Sequence, residues 1–301
     1  MIGCRPDFVN PSFVDKMSDS KPSHRERSQP HRRHSERSRS APAKRSGTIP
    51  AATNWLYGRH AVTAALANPH RRWRRLAVLA GHEKEAAALV SGARAAQYGK
   101  EEAIRVLDHG GFAAVVPRGA VHQGLALEVE PLAQPGIEDF LRHIEMAAGR
   151  SIIVVLDRVS DPQNVGAVLR SAAAFGAVAV VIPVQGGPPV TGALAKAASG
   201  ALETVPLLRA VNLARALDRL KEAGFWICGL DETATQALPE MELGERIALV
   251  LGSEGAGMRR LVHERCDYVV RLPTRAAQPT LNISNAAAVA LYELVRSACP
   301  P

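Results

Sequence analysis

The stretch SIIVVLDRVSDPQNVGAVLRSAAAFGAVAVVIP (Ser151–Pro183) decides the fold. Its two ends, SIIVVLD and AVAVVIP, are short unbroken apolar runs rich in Val and Ile, the pattern of strands buried on both faces. Between them Asp161 stands as an N-cap with Pro162 at the first helical position, and Val165, Val168, Leu169 and Ala172 recur at helical spacing. The same alternation runs on: helix TGALAKAASGAL, strand TVPLL, helix LARALDRLKEAG, strands FWICGLD and RIALVLG, a helix after Gly257, strand YVVRLP and a last helix SNAAAVALYELVRSA. This predicts an α/β domain over residues 151–298, a largely parallel sheet covered by helices. Ligands of such sheets bind beyond the carboxyl ends of the strands.

Upstream, residues 54–132 predict a smaller α/β domain. NWLYGRHAVTAALANP carries Val62, Ala65 and Leu66 at helical spacing, and RLAVLAG, FAAVVP (Phe112–Pro117) and HQGLALEVEPL read as strands. Its basic cluster HRRWRRL sets Trp73 among Arg71, Arg72, Arg74 and Arg75. Two readings stand: a phosphate-binding and base-stacking surface, or a solvated helix-to-strand corner with Trp73 tucked inward. Residues 133–150 read as a linker containing one helix, IEDFLRHIEMAA. Residues 1–53 include DSKPSHRERSQPHRRHSERSRSAPAKRS, which has almost nothing to bury and predicts a disordered basic arm. That arm is either a solubilising tail or a salt-dependent phosphate contact.

Of 301 residues, 47% are hydrophobic and 22% charged, a globular composition with room for two domains. The net charge of +8 is uneven: residues 1–53 hold 11 Lys and Arg against 5 Asp and Glu, leaving 26 against 24 in the body. Nucleic-acid affinity in the body must therefore come from local patches such as Arg71–Arg75 or from a groove between copies. No run reaches the roughly 18 apolar residues of a membrane helix and the start lacks a secretory pattern, so a cytoplasmic location is expected. Cys4, Cys228, Cys266 and Cys299 are scattered without a CxxC pair, so neither structural zinc nor a disulfide framework is expected.

Three loops carry candidate chemistry. After the first strand, DRVSDPQN replaces the glycine-rich phosphate turn of common nucleotide-binding folds. Asn164 falls in the first helical turn. Arg170 follows about 9 Å along the axis and off the buried stripe; on its own it fits a solvated helix face. The second loop, LVLGSEGAGMRRL, places Gly252, Gly255 and Gly257 around Glu254, just after Leu251, which suits a ligand read by main-chain groups or an ordinary turn. The third, RLPTRAAQPTLNISNAAAVALYELV, clusters Asn282, Ser284 and Asn285 before an apolar helix. Ser284 reads as a possible N-cap, a role that fits Asn282 less well.

In this order, DPQNVGAVLRSAAAFGA, LVLGSEGAGMRR and LPTRAAQPTLNISNAAAVALYE resemble the three motifs of the SpoU (TrmH-like) RNA ribose 2′-O-methyltransferases of the SPOUT superfamily. LYGRHAVTAAL and VHQGLALEV resemble the N-terminal RNA-binding domain of the enzymes of this family that act on guanosine in 23S ribosomal RNA. The resemblance implies a trefoil-knotted domain, a homodimer, S-adenosylmethionine as cofactor and RNA as substrate; the cysteine spacing and hydropathy add the expectation of no metal and no membrane. It assigns catalytic positions to Asn164, Arg170, Glu254, Thr280 and Asn282. It assigns cofactor contacts to Gly252, Leu272 and Leu281, with Leu251 and Gly257 beside them. Ala276 stands where the family has glycine, and Thr280 where it has serine, keeping the hydroxyl. The family's proposed base matches Arg170, yet a guanidinium stays protonated in proteins. A cation that orients the nucleotide and stabilises developing alkoxide charge is the better role, with Asn164 and Glu254 holding it in place. Transfer RNA as substrate, or a catalytically silent RNA-binding assembly factor, are the alternatives.

Overall fold

Two sheets organise the chain in the computed structural model, which describes residues 54–98, 102–143, 150–275 and 281–296. The expected arm, residues 1–53, lies outside the described residues. The first sheet draws on β1 (Trp55–Tyr57), β2 (Arg72–Leu79), β3 (Ala96–Gln97), β4 (Ile104–Leu107) and β5 (Leu125–Val129), with α1 (Arg59–Ala67), α2 (Glu83–Ser91) and α3 (His109–Ala113) between them. The order is β1-β5-β2-β3, with β4 also paired to β2. β5 runs antiparallel to β1 and β2, while β3 and β4 run parallel to β2.

After α4 (Ile137–His143), the second sheet alternates β6 (Ser151–Leu156), α5 (Pro162–Ala174), β7 (Ala179–Pro183), α6 (Gly192–Ala198), β8 (Leu207–Ala210), α7 (Leu213–Glu222) and β9 (Trp226–Leu230). β10 (Gln236–Ala237), β11 (Arg246–Leu251), α8 (Arg260–His263), β12 (Tyr268–Arg271) and α9 (Ile283–Arg296) complete it. The strand order is β10-β12-β9-β11-β6-β7-β8 and every pairing is parallel. The unbroken apolar runs are thereby explained, because both faces are covered. Ile152, Val154 and Leu156 of β6 point into one core with Val165, Leu194 and Leu291 of α5, α6 and α9. Ile153 and Val155 point into another with Phe140, Leu217 and Val262 of α4, α7 and α8. α4 is thus a packed part of the outer layer, which the reading of residues 133–150 as linker did not foresee.

FAAVVP is not a strand. Asp108 caps α3, its carboxylate accepting from the Gly111 amide at 2.7 Å, and Phe112 and Val116 are buried one helical turn apart while Ala113 and Ala114 are exposed. A short apolar run carries no period of its own, and the cap decided it. The helix expected over TGALAKAASGAL stops at Ala198, where Ser199 turns left-handed (φ 50°), and resumes as a 3-10 turn at Ala201–Glu203. The strand expected at TVPLL starts only at Leu207, beyond Pro206, which has no N–H for a ladder.

The basic cluster follows the inward-Trp73 reading, but as strand β2 rather than a solvated corner. Trp73 is buried and its indole N–H donates to the Ala95 carbonyl at 3.1 Å. Arg72 pairs with Glu130, and Arg74 and Arg75 both pair with Glu128. A base-stacking role for Trp73 is excluded. Arg71 is buried against Glu203 of the 3-10 turn, with both side chains at most 4% exposed and Nη2 at 2.5 Å from Oε1. Asn68 Nδ2 also donates to Glu203 at 2.8 Å, and Arg71 Nη1 donates to the Glu130 carbonyl at 2.8 Å. A second polar link is made by Gln123, whose Oε1 accepts from the Arg59 amide at the start of α1 and from Lys196 Nζ of α6. The two sheets therefore share one core, in which Leu56, Val62 and Leu127 meet Leu194, Ala198 and Leu202.

α5 and α6 touch at Gly166, where a Cβ would fall 2.5 Å from Ala197 Cβ and 2.6 Å from the Leu194 carbonyl oxygen. Alanine within a helix normally stabilises by about 0.5–1 kcal/mol over glycine. Here the contact reverses the sign: Gly166→Ala is expected to cost about 1–3 kcal/mol in urea unfolding, as overpacking does.

Candidate active site

The carboxyl ends of β6 and β11 lie side by side, in register at Leu156 and Leu251. The first residue past β6, Asp157, is completely buried, and its carboxylate accepts from the Arg259 amide at 2.7 Å and from Arg259 Nε at 2.8 Å. This ties the end of the loop after β11 back to the sheet. The loop itself is closed by paired backbone bonds between Ser253 and Gly257, with Gly255 and Gly257 at positive φ (79° and 60°). At Gly252 the chain passes so near itself that a Cβ would sit 2.1 Å from the Gly257 carbonyl carbon.

That closure holds Glu254 outward, toward α9. Its Oε1 accepts from Asn282 Nδ2 at 2.8 Å and from the Ile283 amide at 3.2 Å. Asn282 Nδ2 also donates to Asn164 Oδ1 at 3.2 Å. Three loops that are far apart in sequence thus meet through one amide. Asn282 Oδ1 in turn accepts from the Ser284 amide at 2.9 Å and the Ser284 hydroxyl at 2.5 Å. Asn282 is therefore the cap of α9, and Ser284, the possible N-cap in the sequence, lies inside the helix as its donor. Asp161 caps α5 as expected, accepting from the Gln163 amide at 2.9 Å.

Arg170 lies on the exposed face of α5 and bonds to no described residue; contrary to the expectation that Asn164 and Glu254 hold it in place, those two side chains are joined to Asn282 instead. Leu251 is buried, Leu272 half-buried and Leu281 40% exposed at the start of α9. Thr280 and Ala276 lie outside the described residues. Asp157 and Arg259 were not singled out in the sequence; a carboxylate directly after VVL, with a basic pair after the glycine loop, was the available signal.

Burial pushes the Cys228 and Cys266 thiols up to about 12, so neither offers a thiolate at neutral pH. Among the described residues no group of three or more His, Cys, Asp or Glu is placed to hold a metal ion, and no helix is long and apolar enough to cross a membrane.

The sequence pattern of the SpoU rRNA Methylase family matches residues 151–292. The 23S rRNA (guanosine-2'-O-)-methyltransferase RlmB of Vibrio cholerae is 37% identical over 246 residues, covering 80% of this chain and 96% of that protein. The chain belongs to the SpoU family. Another relative, an uncharacterized tRNA/rRNA methyltransferase of Synechocystis sp., is 39% identical over 181 residues, 60% of this SpoU chain, which spans about half of that protein's length (47%). The SpoU methyltransferase AviRb of Streptomyces viridochromogenes, solved in complex with the cofactor AdoMet, superimposes with a TM-score of 0.68 at 22% identity, covering 85% of this chain and 94% of that one. At that identity the likeness is one of fold. It extends across both sheets.

Proposed function

We propose that the protein methylates a ribose 2′-hydroxyl of RNA with S-adenosylmethionine, and that the target is a guanosine of 23S ribosomal RNA. The observation that carries this reading is the single Asn282 amide that joins Asn164 and Glu254 at the carboxyl edge of the parallel sheet. The extent of the match to RlmB, which takes in the first sheet as well as the second, favours ribosomal over transfer RNA. Residues 54–132 are read as the RNA-gripping domain and residues 151–298 as the methyltransferase domain, working in the cytoplasm.

The residues present fit the cofactor. A sulfonium is a cation, and the edge presents a carboxylate, Glu254, neutral amides and the apolar Leu272 and Leu281, with Leu251 buried in the core at the strand end. Main-chain groups of the Gly252–Gly257 loop, with Leu272 and Leu281, would hold it. When bound, it supplies an electrophilic methyl carbon. The chain's own work is to bind, align and manage charge. Arg170 orients the ribose and its phosphate and steadies negative charge as it builds on the 2′-oxygen. The proton leaves to a phosphate oxygen or water, because the guanidinium holds its own. Asn282, fixed by Glu254 and by its cap on α9, keeps the loops in register.

The same reading gives the C-terminal segment a trefoil knot, supported by the bonds that tie Asn282 and Ile283 to Glu254 from the neighbouring loop. It also makes the protein a homodimer. Val289 and Tyr292 of α9 are 47% and 55% exposed beside Phe175, whose ring meets Tyr292 at 6.2 Å, an apolar face suited to a second copy.

Gly252→Ala is expected to open the Ser253–Gly257 pairing, cost about 1–3 kcal/mol of stability, and weaken S-adenosylmethionine binding in titration calorimetry. The function itself is tested by mapping 2′-O-methyl marks in ribosomal and transfer RNA with and without the gene. Loss of one 23S guanosine mark is expected. A mark lost from transfer RNA, or from neither, overturns the assignment.

A further inference from the structure

We propose that Arg158 is an RNA-phosphate contact at the mouth of the candidate active site. This rests on the methyltransferase reading above.

Arg158 follows the buried Asp157 and precedes the buried Val159, and its φ is +61°. The backbone there is fixed from both sides. The Asp157 amide donates to the Leu251 carbonyl at 2.8 Å, its carboxylate is held by Arg259, and Val159 fills the core. Such a conformation suits glycine and strains a residue with a Cβ. Two other described non-glycine residues share it, and the fold uses both: Gln123 bonds to Arg59 and Lys196, and Ser199 ends α6. Arg158 is exposed and its guanidinium meets no described residue. The nearest carboxylates along the chain are already engaged, Asp157 by Arg259 and Asp161 by the Gln163 amide. A strained position thus carries a long cation that no described contact of the fold employs. Strain of this kind concentrates at functional sites.

Its place identifies the ligand. Arg158 lies two residues beyond the end of β6 and Glu254 three beyond the end of β11, and these strands are paired in register at their ends. A nucleotide presented to the Asn164–Asn282–Glu254 edge brings phosphates past Arg158, and a guanidinium takes a phosphate through two parallel N–H bonds. The arginines of β2, Arg72, Arg74 and Arg75, are each paired with a carboxylate, as is Arg71 just before the strand, and leave this task open.

The test compares full-length wild type, Arg158→Gly and Arg158→Lys, using 23S ribosomal RNA transcribed in vitro. RNA affinity is measured from about 50 to 300 mM KCl, together with kcat, KM and Tm. For Arg158→Gly we expect an equal or higher Tm, because glycine relieves the strain. Its KM for RNA should rise about tenfold with kcat within about twofold, and the salt slope should become shallower by about one. Arg158→Lys should recover part of the affinity without the gain in Tm. An unchanged KM and salt slope in Arg158→Gly, or a marked fall in its Tm, overturns the proposal. Should wild type bind this RNA without methylating it, the functional reading fails, and the salt slopes still judge Arg158.

Discussion

Arg170→Lys is expected to lose about 10²–10³-fold in methyl transfer while binding S-adenosylmethionine as wild type does. Arg170 stands on the exposed face of α5 and bonds to no described residue, so replacing it costs the fold little. The planar fork of a guanidinium can hold a phosphate and a ribose oxygen at once, whereas an ammonium is a point charge. Keeping the charge and losing most of the rate would therefore assign Arg170 to geometry as well as electrostatics. The measurements are single-turnover transfer of labelled methyl to RNA and calorimetric titration of the cofactor. Near-normal transfer by the lysine variant would remove Arg170 from the site. Weakened cofactor binding would place it with the cofactor instead of the nucleotide.

Arg71→Ala is expected to destabilise the protein by about 3–5 kcal/mol, because it leaves Glu203 buried without its cation. Asn68 alone would remain on that carboxylate. The paired change Arg71→Met with Glu203→Leu should recover much of this loss, since an apolar pair fills a buried site at no desolvation cost. Urea unfolding of the single and double variants measures both. A loss below about 1 kcal/mol for Arg71→Ala would mean that the pair behaves as an exposed one and adds little to the apolar contacts and the Gln123–Lys196 bond between the sheets.

The parallel sheet was legible because buried parallel strands write themselves as unbroken Val, Ile and Leu, and Asp161 with Pro162 marks where α5 starts. What failed were short segments whose state depends on partners. FAAVVP reads equally as strand or helical turn until Asp108 caps it, and TGALAKAASGAL hides a left-handed Ser199. In the candidate site, Asn164, Glu254 and Asn282 were each visible as polar residues at strand ends, and the structure joins them. Their joining is a long-range fact that no local spacing encodes. Asp157 escaped notice because a single carboxylate after a strand is ordinary until its burial is known. The arginines around Trp73 left two readings open for the opposite reason, since Glu128, Glu130 and Glu203, which neutralise them, lie more than fifty residues away.

The core shared by the two sheets makes the molecule a caliper with its jaws fixed. If residues 54–132 grip RNA, the span from that grip to Arg170 is set by packed side chains and the Arg71–Glu203 lock rather than by a tether. Such an instrument selects a nucleotide by its distance from a structural landmark, so moving the landmark by one base pair in a model RNA should move the methyl mark with it.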